Sequence, residues 1–294
     1  MKIGILPPNE EKAQGLHSGF LQGLPVDAES LPLNLMNLYP YTPSLALWRL
    51  EEILAYGSCR RFSGLTLDLG CGDGAFFHAG FRATVAMGID SNPGVLLRAK
   101  SKGCYSHVVS AHGEYLPFRS ESFDYVFSNC VLEHTWNPGR VFAEVERVLK
   151  PGGALLCSAL TKESEKWFFP CRFLNLFGFR KRSLYVLQRF NELQEHRNVL
   201  SQEGWRQAVE KSGLRLIRYK AYMEPKRYYV FSFFDWVWNY RNEQKNKRLG
   251  NVLESFLANH AWIRGRLYGF LKRVMESKRI SPQGAGLIIL ADKP

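Results

Sequence analysis

Residues 65–75 read Leu-Thr-Leu-Asp-Leu-Gly-Cys-Gly-Asp-Gly-Ala, an apolar run that breaks into three alternate glycines, Gly70, Gly72 and Gly74. The run has the length and character of a buried strand, and Ala75-Phe76-Phe77 can open a helix behind it. Glycine permits the sharp turn such a junction needs, and lets backbone amides come close to a ligand because no Cβ intervenes. The first amides of the helix favour an anion. Gly70-x-Gly72-x-x-Ala75 also fits a relaxed dinucleotide fingerprint. A strand, a glycine loop and a helix in this order point to an open α/β sheet with a ligand crevice at the carboxyl ends of its strands.

The downstream pattern extends that sheet. Apolar runs over 65–69, 85–90, 107–111, 123–128, 154–160, 214–222 and 286–291 read as strands, with helical periodicity between them. One helix carries Val95, Leu96, Leu97 and Ala99; another over 137–149 is stopped by Lys150-Pro151-Gly152-Gly153. Ser201 signals a helix that ends at Gly213. Before the glycine loop, residues 1–40 read as an extended arm with short helical turns. A helix over 42–56 follows, with Thr42 or Ser44 as its cap. Two aromatic segments interrupt the pattern, 161–182 and 228–240, and an amphipathic stripe from Leu249 to Val274 follows the second. The expected organisation is an arm and covering helix over 1–60 and a core over 61–160. A lid-like insertion and helix then occupy 161–213, and the last two strands lie in 214–294 with an insertion at 224–282.

Hydrophobic residues make up 46% of the 294, ample for a globular interior. The six cysteines show no CxxC spacing and lie in or beside apolar runs, which suggests buried free thiols in a reducing compartment. The apolar run at Met1 stops too early for a signal peptide, and no stretch approaches a membrane span, so a cytoplasmic protein is expected. The net charge is +12, and 215–279 holds fifteen Lys or Arg against five Asp or Glu. Such asymmetry suits an anionic partner: a phosphate-bearing substrate, a membrane surface or a nucleic acid.

The Asp-Leu-Gly-Cys-Gly-Asp-Gly stretch resembles motif I of the class I S-adenosylmethionine-dependent methyltransferases. Ala111-His112-Gly113-Glu114-Tyr115-Leu116-Pro117-Phe118, Ser122-Phe123-Asp124 and Val148-Leu149-Lys150-Pro151-Gly152-Gly153 are similar to the type 11, ubiquinone/menaquinone-like subfamily. The resemblance covers about 65–160. It implies a Rossmann-like α/β fold, a seven-stranded sheet of order 3-2-1-4-5-7-6 with strand seven antiparallel, helices on both faces and an α-rich insertion. It also implies S-adenosyl-L-methionine as cofactor and methyl transfer to a small or amphipathic acceptor.

That cofactor has four handles. Its carboxylate suits amides around Gly70, Cys71, Gly72 and Gly74, with Arg49 of the covering helix able to reach it. Its ammonium suits Asp68 and loop carbonyls. The ribose hydroxyls suit Asp90, flanked by Ser91 and Asn92, unless Asp90 serves only as a helix N-cap. Adenine would lie against Ala111, His112 and Gly113, with His112 standing where the subfamily usually has an aspartate, and Asn129 follows strand four. Glu133 and His134 are the candidate bases, against simple local packing; with no third ligand beside them, no metal is expected. A nicotinamide dehydrogenase would share the glycine loop and Asp90 but not Leu116-Pro117-Phe118 or Lys150-Pro151-Gly152-Gly153. A tRNA- or rRNA-directed methyltransferase would explain the charge, but no Asn-Pro-Pro-Tyr-like tetrad is present and a nucleic-acid partner is not expected. A non-catalytic binding protein on the same fold is the third alternative. The insertion from Tyr228 to Arg279 suits an amphipathic acceptor or an anionic membrane surface, unless its apolar stripe packs on the core or on a second subunit.

Overall fold

Short strands buried on both faces cannot stand without helices to cover them, and the chain supplies those helices between successive strands. The computed structural model describes residues 35, 39, 43–57, 64–80, 85–239, 241–242, 247–275 and 283–294. The rest of the N-terminal arm, with Tyr41 and Thr42, lies outside the described residues, as do Cys59 and Tyr240.

Helix α1 (Pro43–Tyr56) precedes β1 (Thr66–Leu69), α2 (Ala75–Gly80), β2 (Val85–Asp90), α3 (Pro93–Ser101), β3 (Tyr105–Ser110) and β4 (Phe123–Asn129). Helix α4 (Pro138–Val148) and β5 (Leu149–Leu160) follow, then α5 (Lys162–Trp167), α6 (Phe169–Leu176), α7 (Arg180–Leu193) and α8 (Gln202–Lys211). The chain ends with β6 (Arg215–Tyr222), α9 (Pro225–Asn239), α10 (Leu249–Asn259), α11 (Ala261–Met275) and β7 (Gly286–Asp292). The seven-stranded sheet has the expected order β3-β2-β1-β4-β5-β7-β6. Strands β1 to β5 pair in parallel, while β7 runs antiparallel between β5 and β6, with Cys157 opposite Ile289 and Tyr219 opposite Ile289 on its other side.

Alternation along the strands divides the interior into two layers. Ile288, Leu156 and Phe127 face one layer with Trp48, Tyr56, Phe77, Tyr105, Phe168 and Tyr228. Leu287, Ile289, Leu155 and Val126 face the other with Val141, Phe142, Val145, Trp205 and Val209. Trp205 anchors α8 by donating from its indole Nε1 to the Leu160 carbonyl at 2.8 Å.

Two elements differ from the sequence reading for identifiable reasons. Strand β5 begins at Leu149 rather than 154, running through Pro151-Gly152-Gly153. The pairing shifts register between Phe123 and Tyr125, and Gly152, at φ +77°, gives its amide to the Lys293 carbonyl. The proline and glycines thus form an irregularity inside a strand as well as a stop for α4. The aromatic segment after β5 folds into α5, α6 and the first turn of α7, and the later aromatic run forms α9. Helix α9 lies on α1: Trp48 packs against Phe231 at 5.1 Å and Tyr228 at 6.3 Å between ring centroids. Trp48 and Leu50 therefore serve packing.

Candidate functional site

The sheet order reverses between β1 and β4, and open α/β sheets bind ligands in the crevice such a reversal creates. The carboxyl ends of β1, β2 and β4 meet there. Gly70, Gly72 and Gly74 have φ values of +76°, +55° and +75°, so the loop needs glycine's left-handed freedom. A Cβ on Gly70 would lie 2.2 Å from Val131 Cγ2, whereas one on Gly72 would meet nothing within 4 Å. The loop is pressed against the end of β4 at Gly70 and open at Gly72.

The loop amides are not free for a ligand. Gly70 and Cys71 both donate to the Ile89 carbonyl at 2.8 Å, Gly74 donates to the Cys71 carbonyl at 3.0 Å, and Gly72 donates to Asp90 Oδ2 at 2.9 Å. The expected amide cradle for a carboxylate is thus spent on closing the loop onto β2. The turn is tight enough that its own strand supplies the acceptors. Arg49 of α1 is better placed for an anion. Its guanidinium lies 5.0 Å from the Phe76 ring at the start of α2, and its buried Nε has no hydrogen-bond partner. A buried donor without a partner costs about 1–3 kcal/mol, which an anion would recover.

Asp68 supports the loop from below. It is 3% exposed and accepts the Tyr105 hydroxyl at 2.6 Å. Burial pushes its pKa up to about 7, with the Tyr105 hydrogen bond opposing and the charge of Asp90 adding. Tyr105 passes beneath the glycines, close enough that a Cβ on Gly74 would lie 3.0 Å from Tyr105 Cε2.

Asp90 spends one lone pair of each oxygen, Oδ2 on Gly72 and Oδ1 on the Asn92 amide at 2.8 Å. A carboxylate has about four acceptor sites, so two are left for vicinal hydroxyls. The helix N-cap is Asn92, which accepts the Gly94 amide at 2.9 Å, and the exposed Ser91 lies between them. Across the crevice the Ala111 amide donates to the Asp90 carbonyl at 3.1 Å, which brings His112 and Gly113 to the ends of β1 and β2. His112 is exposed. A Cβ on Gly113 would lie 3.4 Å from Leu69 Cδ2. The segment that follows is held from α4: Glu144 accepts the Leu116 amide at 2.8 Å, and Arg147 donates to the carbonyls of Leu116 and Phe118. Arg147 also holds the Glu144 carboxyl below its usual range.

A polar cluster that the sequence did not reveal lies beneath α1, at the ends of β4, β5 and β6. Glu52, fully buried, accepts Arg49 Nη1 at 2.6 Å and Asn129 Nδ2 at 3.3 Å on one oxygen. Its other oxygen accepts the Cys130 thiol at 2.7 Å and the Tyr222 hydroxyl at 3.0 Å. Ser158 donates to Asn129 Oδ1 at 3.0 Å, so Asn129 is engaged on both amide atoms. Cys130 has a φ of +50°, rare outside glycine, and burial followed by the Glu52 charge pushes its thiol pKa well up. Arg49 and Glu52 pair at i,i+3 on α1. Their meeting with Tyr222, 170 residues downstream, was not visible in the sequence.

The two candidate bases separate. Glu133 is 2% exposed, its Oε2 has no hydrogen-bond partner, and burial raises its pKa against the opposing charge of His134. His134 faces the loop after α7: its ring lies 5.2 Å from His196, and its Nδ1 is 3.3 Å from the Glu195 carbonyl. Among the described residues no group of three or more His, Cys, Asp or Glu could hold a metal.

Residues 67–157, spanning the glycine loop, Asp90, the His112 segment and Glu133, match the methyltransferase-domain family. The match covers under half of the chain. The chain is 34% identical over 105 residues to a malonyl-[acyl-carrier protein] O-methyltransferase of Hahella chejuensis, covering 33% of this chain and 37% of that one. It is also 34% identical over 148 residues to a ubiquinone biosynthesis O-methyltransferase of Dinoroseobacter shibae, covering 46% and 57%. The chain thus spans under two thirds of the length of these relatives. A solved SAM-dependent methyltransferase from Thermotoga maritima shares the fold at a TM-score of 0.52 and 17% identity, covering 88% of this chain and 95% of that one.

Proposed function

We propose that the chain binds S-adenosylmethionine and transfers its methyl group to a small or amphipathic acceptor. The observation that carries this reading is Asp90, which closes the glycine loop through Gly72 and keeps two acceptor sites for a ribose. The unpartnered Arg49 Nε fits the same cofactor's carboxylate. Gly70, Cys71, Gly72 and Gly74 wall the pocket, Asp68 positions the loop, and Ser91 and Asn92 border the ribose. Ala111, His112 and Gly113 face the adenine, and Asn129 links the pocket to the Glu52 cluster.

Bound there, the cofactor supplies a methyl group already activated on a sulfonium. What the protein adds is alignment and exclusion of water, and α1 with α9 provides the cover. Glu133, buried with one free oxygen, is the proposed acceptor of the substrate's proton, and burial, by disfavouring its charged form, makes it a stronger base than a solvated carboxylate. His134 belongs to the wall it forms with His196. A cytoplasmic location with peripheral contact to an anionic surface completes the proposal. Its support is the basic charge of 215–279 and the exposed Phe256, Trp262 and Phe270 on α10 and α11.

Calorimetry with S-adenosylmethionine, S-adenosylhomocysteine and NAD tests the cofactor. The two adenosyl ligands should bind and NAD should not; preferential NAD binding overturns the reading.

A further inference from the structure

We infer that the helical hairpin of α6 and α7 docks the protein on an anionic lipid surface, with its apolar tip immersed and its cations against the headgroups. This deepens the surface contact proposed above by assigning it to a different element, and it is independent of methyl transfer.

The tip is apolar and uncovered. Leu176 is 79% exposed, Phe177 58% and Phe179 56%, with Phe173, Leu184 and Tyr185 exposed beside them. The root is fixed to the protein. Phe169 packs against Tyr229 at 5.0 Å and Phe233 at 4.9 Å, and Phe168 against Phe190 at 4.4 Å. Cys171 and Ser183 cross-link the two helices by exchanging hydrogen bonds to each other's carbonyls. The hairpin therefore stands on α9 by its base and projects its tip.

Charge selects the partner. Helices α6 and α7 carry Arg172, Arg180, Lys181, Arg182 and Arg189 against one acid, Glu192, which pairs with Arg189 at 2.7 Å at the end far from the tip. Arg180, Lys181 and Arg182 are exposed and have no acidic partner among the described residues. They occupy the first turn of α7, where the helix dipole adds potential of the same sign, so the cluster is unfavourable until an anionic surface meets it. Basic residues bordering exposed aromatic and leucine side chains suit an anionic bilayer, into which rings and aliphatic chains sink while long cationic chains reach the headgroups.

The backbone of the tip can leave water at little cost. Phe177 and Phe179 donate to the Leu174 carbonyl at 3.3 and 3.0 Å, Gly178 to the Asn175 carbonyl at 3.1 Å and Arg180 to the Gly178 carbonyl at 2.9 Å. These amides are satisfied within the hairpin, so they need no water when the tip enters an apolar medium. From Leu184 a groove of about 810 Å³ passes Leu187 and Asn191 to His196, which lies against His134 beside Glu133.

Flotation of the full chain with vesicles of phosphatidylcholine, or of phosphatidylcholine and phosphatidylglycerol in equal parts, tests the proposal without cofactor. Binding should be confined to the anionic vesicles and weaken as salt rises. Phe177→Ser with Phe179→Ser should weaken it tenfold or more, and Arg180→Glu with Lys181→Glu by at least about fivefold per cation. A Phe177→Trp variant should gain, over the parent with its seven tryptophans, a blue-shifted emission that brominated acyl chains quench. All these side chains are exposed, so circular dichroism should show unchanged folding. Equal binding to both vesicle types, or an added indole in the Phe177→Trp variant that brominated chains leave unquenched, overturns the proposal. So does binding that survives both hairpin pairs but is lost in Phe256→Ser with Trp262→Ser, an outcome that keeps the surface contact and moves it to α10 and α11. Absence of vesicle binding by the unaltered chain overturns both, and leaves the cofactor reading to its own calorimetry.

Discussion

Tyr222, the last residue of β6, donates its hydroxyl to Glu52 of α1 at 3.0 Å, joining the helix that covers the crevice to the edge of the sheet. The same carboxylate accepts Arg49, Asn129 and Cys130, so one buried charge fixes α1 against β4 and β6 together.

Replacing Glu52 should therefore affect folding and ligand binding at once. Glu52→Ala leaves Arg49 without its counter-ion and should destabilise the protein by about 3–5 kcal/mol, the usual cost of breaking a buried pair. Tyr222→Phe removes one hydrogen bond of several and should cost about 0.5–1.5 kcal/mol. Denaturant unfolding measures both. An equal effect of the two substitutions would contradict the central place given to the carboxylate.

Asp90 offers the more direct test of the cofactor. Asp90→Ala removes the acceptors proposed for the ribose and also frees the Gly72 amide. Hydrogen bonds to a charged group contribute about 1.5–3 kcal/mol each, so S-adenosylhomocysteine affinity should fall at least tenfold. Asp90→Asn, which retains one acceptor for Gly72, should fall less. Unchanged calorimetric affinity in Asp90→Ala would remove the ribose role.

How much of this was legible beforehand depends on the range of the interaction. Strands β1, β2 and β4 and the glycine loop were readable because their signals are local: an apolar run, a turn needing positive φ, an acid at the end of the next strand. The sheet order came from resemblance, since alternation alone gives only an open α/β sheet. The Glu52 cluster was illegible because Glu52, Cys130, Ser158 and Tyr222 come from four distant elements, each unremarkable in its own segment. The direction of the loop amides was illegible for a different reason. Three glycines announce a tight turn, but only the backbone path decides whether the amides point outward or onto Ile89 and Asp90. The irregularity at Pro151-Gly152-Gly153 was read as an end because proline and glycine stop helices more often than they interrupt strands.

The Leu116-Pro117-Phe118 segment yields a third prediction. Arg147 holds the carbonyls of Leu116 and Phe118 and pairs with Glu144, which holds the Leu116 amide. Arg147 does not touch the proposed adenine site, so it acts as a positioning residue. Arg147→Ala should weaken cofactor binding several-fold with a stability loss of about 1–3 kcal/mol, while Arg147→Lys, which cannot span both carbonyls, should recover only part. If Arg147→Ala left affinity unchanged, the segment would have to hold its shape without α4.

The last prediction concerns pH and follows from Asp68. Its folded pKa, about 7, lies above the value of about 3.9 for an aspartate in an unstructured peptide. The folded protein therefore retains a proton that the unfolded chain releases. The stability this represents is fully present below about pH 4 and is lost as pH rises through about 7, where the buried carboxyl must ionise without a cation beside it. A difference of about three units bounds the effect at roughly 4 kcal/mol, and relaxation around the charge will make the measured value smaller. Asp68→Asn keeps an oxygen to accept the Tyr105 hydroxyl but cannot ionise, so it should match the parent below about pH 4 and exceed it in stability near pH 8. Denaturant midpoints for the two proteins across that interval measure the difference directly. Parallel profiles would mean that Asp68 is already ionised in the folded protein at pH 5, and that the Tyr105 hydroxyl alone compensates its burial.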